Sequence, residues 1–191
     1  PLALYVANEM ISKSFSVPAT DLEEILARNC RISDTARAAR FCRQAEQACY
    51  FCKDIHYPDV PLHTPTFDTT LLSAHIRPGH VTLIDCWASW CGPCRAAIPK
   101  VKALYDKYGR DRFDVISISL DSKKEDWQKA LEEEKMPWPQ FIAGNRGYKQ
   151  LTSRYNISSI PNLILIDGKG QVVCNTFSPE EIRIELEQIL R

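Results

Sequence analysis

Two cysteines separated by two residues carry the clearest chemical signal in this sequence. They are Cys91 and Cys94, in the run Cys91-Gly92-Pro93-Cys94, which follows an apolar stretch and precedes a helical pattern. A cysteine at such a turn lies at the start of a helix, where unpaired backbone N–H groups and the helix dipole stabilise a thiolate. We therefore predict that Cys91 is a nucleophile whose pKa is lowered.

The spacing also predicts a partner for that nucleophile. Two intervening residues bring the second sulfur within disulfide distance of the first. Cys94 can then attack a mixed disulfide formed on Cys91 and release the reduced partner. Gly92 lets the backbone turn tightly beside the sulfur, and Pro93 suits the first helical turn, where no N–H is required. The pattern therefore predicts thiol-disulfide exchange, in which Cys91 attacks and Cys94 resolves.

A pair of this kind can also supply half of a zinc site. Such a site needs further ligands, and after Cys94 the chain holds only Cys174 and no imidazole pair. The β-α pattern around the motif is typical of a redox site. We therefore favour redox chemistry, and we expect neither a metal nor an organic cofactor at this pair.

Several segments resemble one known family. Residues 81–99, VTLIDCWASWCGPCRAAIP, resemble the active-site segment of the thioredoxin superfamily, and more closely its TlpA/ResA-like branch of membrane-anchored or periplasmic thiol-disulfide oxidoreductases. Residues 113–121 resemble the next strand, 136–139 the inserted segment of the branch, and 157–161 the loop with the family's cis-proline. The resemblance covers about residues 65–191 and implies the same activity.

The resemblance also implies that Asp85 is the buried proton acceptor behind Cys94. Because Asp85 lies on an otherwise apolar strand, we expect its carboxyl to be desolvated and its pKa to be raised. The alternative is an aspartate that pairs locally at a strand end. Thioredoxin's buried lysine corresponds to Ser117 here, and the branch's glutamate corresponds to Ala97. We therefore expect Asp85 to work without a second charged group.

A second group of residues is expected to contact the substrate. The resemblance implies a cis peptide bond before Pro161 that presents the backbone of Ile160 to an extended substrate segment. Trp90 is expected to offer an apolar contact beside the nucleophile, although it and Trp87 could equally be core residues, and for Trp87 we favour the core. The predicted substrate-contacting residues are Trp90, Gly92, Pro93, Ile160 and Pro161.

The first sixty residues differ in pattern from the rest. Helical periodicity there covers residues 2–13, 21–29 and 33–53. Three prolines and two histidines between residues 56 and 65 predict an extended linker. We therefore predict a small all-α appendage at residues 1–60, the tail of a truncated upstream region, and a thioredoxin-like catalytic domain at residues 61–191.

Strands and helices alternate in the predicted catalytic domain. We predict strands at residues 81–87, 113–120, 162–166 and 172–176, and helices at residues 94–108, 125–135, 147–155 and 179–190. The run Asp167-Gly168-Lys169-Gly170 predicts a hairpin turn between the last two strands. The alternation predicts an α/β fold of three layers, in which helices cover both faces of a central mixed sheet.

The remaining cysteines and histidines leave alternatives open. Cys86 and Cys174 fall in predicted strands and are expected to be buried and inert. Structural disulfides, free thiols or a metal site that includes His56 remain open for Cys30, Cys42, Cys49 and Cys52. Surface or linker positions are expected for His63, His75 and His80.

Composition restricts the partners and the compartment. Basic and acidic residues number 24 each, so charge gives no reason to expect nucleic acid or an anionic membrane surface as a partner. No apolar run reaches about 18 residues, and the chain begins at Pro1, so membrane anchoring is expected only through a segment upstream. Eight cysteines favour the periplasm or cell envelope, where disulfides persist.

These observations predict a thiol-disulfide oxidoreductase that reduces disulfides of envelope proteins and receives electrons from an upstream donor. The Gly-Pro dipeptide favours a reductant, because thioredoxin, which shares it, has a potential of about −270 mV. A disulfide oxidase or isomerase is one alternative, and a non-catalytic interaction module is another. A peroxiredoxin-like peroxidase is disfavoured because no Pro-x-x-x-Thr-x-x-Cys arrangement precedes Cys91.

Overall fold

Apolar runs that are buried on both faces form the centre of the sheet. A computed structural model of the chain describes residues 55–109, 112–155 and 157–191. Every residue of Val81–Trp87 and of Asn162–Ile166 is buried there, as strands with a layer on each face require. The strands are β1 (Ile55–His56), β2 (Pro61–His63), β3 (Thr69–Leu71), β4 (Val81–Trp87), β5 (Phe113–Ser119), β6 (Gln140–Ile142), β7 (Asn162–Ile166) and β8 (Gln171–Thr176).

The eight strands of the described residues form one mixed sheet, in the order β1-β8-β7-β4-β5-β6-β2-β3. Strand β4 is central: it pairs in parallel with β5 and antiparallel with β7. Strands β5 and β6 are also parallel, while β7 and β8 form the antiparallel hairpin predicted from the Asp167-Gly168-Lys169-Gly170 turn. The predicted α/β fold with a central mixed sheet is confirmed.

Four α-helices and one short 3₁₀ helix (Leu72–His75) accompany the sheet in the described residues. The α-helices are α1 (Gly92–Tyr108), α2 (Lys124–Glu134), α3 (Gly144–Arg154) and α4 (Pro179–Ile189). Helices α1 and α4 pack on one face through a cluster that includes Val101, Leu104, Ile182 and Leu186. Leu151 of α3 packs on the other face with Leu72 of the 3₁₀ helix. None of these helices combines the length and the apolar character that crossing a membrane requires.

The predicted linker is wrong for the residues that the structure describes. Strand β2 pairs with β3 and β6, and β1 pairs with β8, so this stretch belongs to the sheet. Val60 and Leu62 are fully buried in the core between prolines that had suggested a stiff, solvated chain. Proline is tolerated at the first residue of a strand, and Pro61 holds that place. The predicted helices of residues 1–54 lie outside the described residues.

Two histidines that follow this stretch, His75 and His80, also differ from the predicted surface or linker positions. His75 is half-buried: its Nε2 lies 2.9 Å from Thr70 Oγ1, and its ring centroid lies 4.4 Å from that of Phe141. Burial lowers the pKa of His75. His80 pairs with Asp114, with Nδ1 3.2 Å from Oδ2. These side chains pack against the fold because the segment that carries them is part of it.

Candidate active site

The two motif cysteines meet at the start of α1. Cys91 and Cys94 form a disulfide with their Cα atoms 5.3 Å apart, so the structure represents the oxidised form. Cys91 precedes the first residue of α1, and the backbone N–H of Cys94 donates to Cys91 Sγ over 3.2 Å. An N–H of the first helical turn therefore points at the sulfur predicted to be the nucleophile, which favours its thiolate once the disulfide is reduced.

The turn before the disulfide is held by a carboxylate that the sequence analysis missed. Asp121 is buried just after β5, and its Oδ2 accepts hydrogen bonds from the backbone N–H of Ser89 (2.9 Å) and from Ser119 Oγ (2.7 Å). Its Oδ1 accepts from Ser89 Oγ over 2.7 Å. The only signal in the sequence was an aspartate directly after an apolar strand. This contact fixes the residues between β4 and Cys91 to the end of β5.

The two tryptophans of the motif lie in opposite environments. Trp87 ends β4 and is fully buried, as predicted. Trp90 precedes Cys91 and is 70% exposed, although it is a large apolar side chain. Gly92 and Pro93 are also exposed, whereas Cys91 and Cys94 are only 4% and 2% exposed. The disulfide therefore lies just beneath an exposed apolar surface.

Asp85 lies in β4 and is buried, with a relative exposure of 4% for the whole residue. Alternation along the strand places it on the same face as Leu83 and Trp87, which is the face covered by α1 and thus by Cys94. Burial raises the pKa of Asp85 to about 6, and a hydrogen bond from Ser117 partly offsets that rise. Asp85 is thus a buried carboxyl with a raised pKa on the sheet face that α1 covers.

Ser117 occupies the position directly across from Asp85 in the β4–β5 pair. Its Oγ donates to Asp85 Oδ2 over 2.9 Å and accepts from Trp138 Nε1 over 2.8 Å. The acceptor role toward Trp138 directs the single hydroxyl proton of Ser117 to the carboxylate. The segment at residues 136–139, identified by resemblance, thus contributes the indole that orients this serine. The group that faces Asp85 across this strand pair is therefore a neutral hydroxyl.

The loop before β7 contributes Ile160 and Pro161 to the site. The Ile160-Pro161 peptide bond is cis, as predicted. Ile160 is half-buried and packs against the cluster that contains Cys91 and Cys94. Two residues that are about seventy positions apart in the chain are therefore neighbours at one end of the sheet.

A groove of about 800 Å³ opens beside these residues. One wall is formed by α3 and the loop at residues 157–160, and the other by residues 120–124 and the β2–β3 loop. Trp90 and Ile160 line its end nearest the disulfide. Phe67 reaches it from the β2–β3 loop: its ring packs edge-on against Trp127, with centroids 6.2 Å apart, and Lys124 Nζ lies 3.5 Å from its centroid.

The other cysteines lie away from this groove or outside the described residues. Cys86 is fully buried, as predicted, and its pKa is raised mainly by burial and further by the nearby charge of Asp85. Cys174 is half-buried against the cluster under α4, less enclosed than predicted. Positions 30, 42, 49 and 52 fall outside the described residues. Within residues 55–109, 112–155 and 157–191, no three His, Cys, Asp or Glu side chains form a group that could hold a metal ion.

Sequence comparison identifies similar proteins. The profile of a family described as thioredoxin-like matches residues 79–172, which include the disulfide and both central strands. Thiol-disulfide oxidoreductase ResA of Geobacillus kaustophilus is 26% identical over 133 residues, which make up 65% of this chain and 75% of that relative. The residues matched by the family profile contain Asp85, the disulfide and the Ile160-Pro161 bond.

Structural comparison gives the same result. A thioredoxin domain of a thiol-disulfide oxidoreductase from Bacteroides vulgatus has a TM-score of 0.66 at 24% identity, and the match covers 73% of this chain and 99% of that domain. A protein from Chlorobium tepidum described as a thiol:disulfide interchange protein DsbE has a TM-score of 0.58 at 33% identity, with 72% of this chain and 95% of that one covered. The first likeness shows the fold, and the second extends to the sequence.

Proposed function

Because this chain belongs to the TlpA/ResA-like branch of the thioredoxin superfamily and is a thiol-disulfide oxidoreductase, we propose that it reduces disulfides in proteins of the cell envelope. The observation that carries the proposal is the Cys91–Cys94 disulfide at the start of α1, with a backbone N–H directed at Cys91 Sγ. The same pair in its reduced form holds the two electrons that a substrate disulfide needs.

The first step is attack by Cys91. In the reduced protein its thiolate attacks one sulfur of a substrate disulfide, forms a mixed disulfide and displaces the other substrate sulfur as a thiolate, which takes a proton from water. The N–H of Cys94 supports this step because it stabilises negative charge on Cys91 before the attack.

The second step is resolution by Cys94. Asp85 accepts the proton of the Cys94 thiol, and the resulting thiolate attacks Cys91 Sγ and breaks the mixed disulfide. The second substrate sulfur leaves as a thiolate and is protonated. A carboxyl with a pKa of about 6 supports this role, since it is ionised at neutral pH yet basic enough to hold a proton transiently.

The two steps together transfer two electrons and two protons. The substrate disulfide becomes two thiols, and Cys91 and Cys94 become the disulfide seen in the structure. A dithiol donor must then reduce this pair by the reverse exchange. We propose that the donor is another envelope dithiol protein.

The residues around the disulfide support binding of an extended substrate segment. Exposed Trp90 offers an apolar surface beside Cys91, with Gly92 and Pro93 leaving the approach to the sulfur open. The backbone at Ile160-Pro161 is proposed to pair with the substrate in β fashion. The eight cysteines of the chain support an oxidising compartment for these encounters.

A redox titration tests this proposal. The protein is equilibrated in defined dithiol/disulfide buffers, its thiols are alkylated, and the state of each cysteine is determined by peptide mass spectrometry. We expect Cys91 and Cys94 to switch together near −270 mV, the value of thioredoxin. A potential between about −120 and −180 mV would instead identify an oxidase or isomerase. Absence of reversible switching at this pair would overturn the enzymatic proposal.

A further inference from the structure

The carboxyl of Asp85 accepts a hydrogen bond from the neighbouring strand. Ser117 on β5 lies directly across from Asp85 on β4, and its Oγ donates to Asp85 Oδ2 over 2.9 Å. Both residues are buried, Ser117 completely. A hydroxyl that donates to a carboxylate stabilises the ionised form and so opposes the effect of burial. A proton delivered to this carboxyl can bind at Oδ1 without breaking the hydrogen bond.

The proton of that hydroxyl has two acceptors within reach. Besides Asp85, Met136 Sδ lies 3.9 Å from Ser117 Oγ. A thioether is a weak acceptor, whereas an ionised carboxylate is a strong one. Trp138 Nε1 donates to the same Oγ over 2.8 Å, and because an indole N–H cannot accept, Ser117 must direct its own proton elsewhere. The serine is therefore set to donate to Asp85 whenever the carboxyl is ionised.

The indole of Trp138 is held in place by packing. The residue is 4% exposed and belongs to the cluster that joins α1 and α4 to the sheet. Its ring packs edge-on against that of Tyr105 on α1, with centroids 5.3 Å apart. The helix that carries Cys94 therefore also supports the donor that orients Ser117.

Charged side chains on the helix above Asp85 are engaged with other partners. Arg95 of α1 pairs with Glu133 and Glu134 at the end of α2. Lys102 Nζ, also on α1, donates to the backbone carbonyl of Glu134 over 2.6 Å. These contacts direct the cations of α1 toward the end of α2.

The other neighbours of Asp85 are uncharged at neutral pH. The position across from it on β7 is the apolar Leu163. Cys86 follows it on β4 as a buried thiol whose pKa is raised, and Cys94 on α1 is bonded to Cys91. Burial raises the pKa of Asp85 and the Ser117 hydrogen bond lowers it, with no charged partner involved among the described residues.

We propose that Trp138 and Ser117 are positioning residues for the resolving step. Trp138 directs the Ser117 hydroxyl to Asp85, and this hydrogen bond holds the carboxyl ionised so that it can accept the proton of the resolving thiol. The proton moves from Cys94 Sγ to Asp85, the thiolate attacks Cys91 Sγ, and the carboxyl then releases its proton to water. The inference rests on the proposed function, because it concerns the proton acceptor of the same exchange.

Titration of the carboxyl tests this arrangement in the full chain. The Asp85 Cγ resonance is followed by NMR in the oxidised, isotope-labelled protein and is assigned by its loss in Asp85→Asn. In Ser117→Ala we expect the titration midpoint to rise by about one pH unit, because a hydrogen bond to a charged group is lost. In Trp138→Phe we expect a smaller rise, because Ser117 keeps its hydroxyl but loses the donor that directs it. The resonance reports on folded molecules, so a smaller folded fraction does not change the midpoint.

Two matched controls remove the same chemical groups elsewhere in the core. Thr82 Oγ1 and Trp127 Nε1 are buried and have no hydrogen-bond partner among the residues that the structure describes. Thr82→Val removes a buried hydroxyl from β4, and Trp127→Phe removes a buried indole N–H from the cluster around the disulfide. Both variants should show the Asp85 midpoint of the native chain.

Single turnovers connect the midpoint to the resolving step. Reduced protein is mixed with excess peptide disulfide, quenched in acid, and the mixed disulfide on Cys91 is followed by intact-mass spectrometry. In Ser117→Ala less of the carboxyl is ionised at low pH, so we expect the mixed disulfide to decay about three- to tenfold more slowly near about pH 5. The decay rate should approach that of the native chain as the pH rises above the midpoint of the variant.

The outcomes separate this inference from the proposed function. An unchanged Asp85 midpoint in Ser117→Ala or in Trp138→Phe, or equal shifts in the two controls, would overturn it, as would native decay of the mixed disulfide in Ser117→Ala at low pH. Reduction of a small neutral disulfide, hydroxyethyl disulfide, is the separate measure of chemistry. If the native chain does not reduce it, the proposed oxidoreductase function fails, while the NMR midpoints still decide whether Ser117 and Trp138 hold Asp85 ionised.

Discussion

A single buried carboxyl links the chemistry of this protein to its stability. Asp85 lies in a strand whose residues are all buried, where an ion is poorly solvated, and it accepts a hydrogen bond from Ser117. An apolar residue at this position would make the folded state more stable. The cost is consistent with a residue retained to move a proton at the dithiol.

Replacing this carboxyl by an amide should stabilise the oxidised protein at high pH. The pKa of Asp85 is about 6 in the folded chain and 3.8 ordinarily, so between these values the folded state holds a proton that the unfolded state has released. Stability is therefore lost as pH rises through this window, by about 3 kcal/mol in all. Relative to the native chain, the unfolding free energy of Asp85→Asn should therefore rise by about 3 kcal/mol between pH 4 and pH 8, measured by urea unfolding.

The control for this prediction is Asp106→Asn, which removes an exposed carboxyl from α1. Its unfolding free energy relative to the native chain should not follow the same pH dependence as that of Asp85→Asn. If the curves for Asp85→Asn and the native chain run parallel from pH 4 to pH 8, the carboxyl does not titrate in this window and its assignment as proton acceptor loses its support.

The two cysteines should differ when each is removed. In Cys94→Ser, Cys91 can still attack a substrate disulfide, but no second thiol resolves the product. We expect a mixed disulfide of one substrate per chain to accumulate, detected by intact-mass spectrometry without reductant. Cys91→Ser is the matched control and should form no such adduct, because the backbone N–H that stabilises a thiolate is directed at Cys91 Sγ. Adducts of equal yield in both variants would contradict the assignment of attacking and resolving roles.

At the scale of elements, the active-site turn depends on the end of a neighbouring strand. The connection from β4 to α1 has no regular backbone pairing of its own, and Asp121 ties it to β5 through Ser89. Because charge-assisted hydrogen bonds to a buried carboxylate are strong, this contact should limit the motion of the turn. The position of the nucleophile is thus set by β5 as much as by its own helix.

Replacing that carboxylate tests the dependence. In Asp121→Asn one oxygen becomes an NH₂ donor that cannot accept from Ser89 or Ser119, so we expect a loss of about 1–3 kcal/mol in unfolding free energy. We also expect slower reduction of peptide disulfides and greater mobility of Trp90, measured by its fluorescence anisotropy. The control, Ser153→Ala, removes an exposed hydroxyl from α3 outside the groove lining and should change neither. Native anisotropy and rate in Asp121→Asn would show that the turn is fixed by other contacts.

At the scale of the whole molecule, we propose that the catalytic unit extends further toward the N-terminus than the boundary predicted at residue 61. Strand β1 adds an edge to the sheet beside β8. Val60 is fully buried, and Tyr155 Oη donates to the carbonyl of Pro58 over 2.7 Å. Residues 55–60 therefore contribute a strand, a core side chain and a partly buried hydrogen bond to the unit formed by the residues from 61 onward.

Two shortened chains distinguish these boundaries. A chain of residues 55–191 retains these contacts, whereas a chain of residues 61–191 exposes the cavity left by Val60 and leaves the Tyr155 hydroxyl without its partner. We expect the shorter chain to be less stable by about 2–4 kcal/mol, measured by urea unfolding, because cavity and hydrogen-bond losses are both included. Equal midpoints and slopes for the two chains would support the boundary at residue 61.

Local patterns were enough to predict the dithiol, the central strand and the strand-helix alternation. A Cys-x-x-Cys spacing places two sulfurs within one turn, and an apolar run of seven residues indicates a buried strand whatever surrounds it. Resemblance added Asp85 and the cis bond at Pro161, because the matching motifs are short and contiguous. Each of these predictions depends on residues that are close together along the chain.

The contacts that shape the site depend on residues far apart along the chain. Ser89 and Asp121 are separated by 32 positions, and Trp138 and Ser117 by 21, so each contact exists only through the packing of separate elements. The prolines around Val60 suggested a linker because proline stiffens the chain locally. The burial of Val60 and Leu62 instead depends on contacts with distant parts of the chain. Strand register and the packing of α3 position the groove, and both depend on contacts between elements that are far apart in the chain.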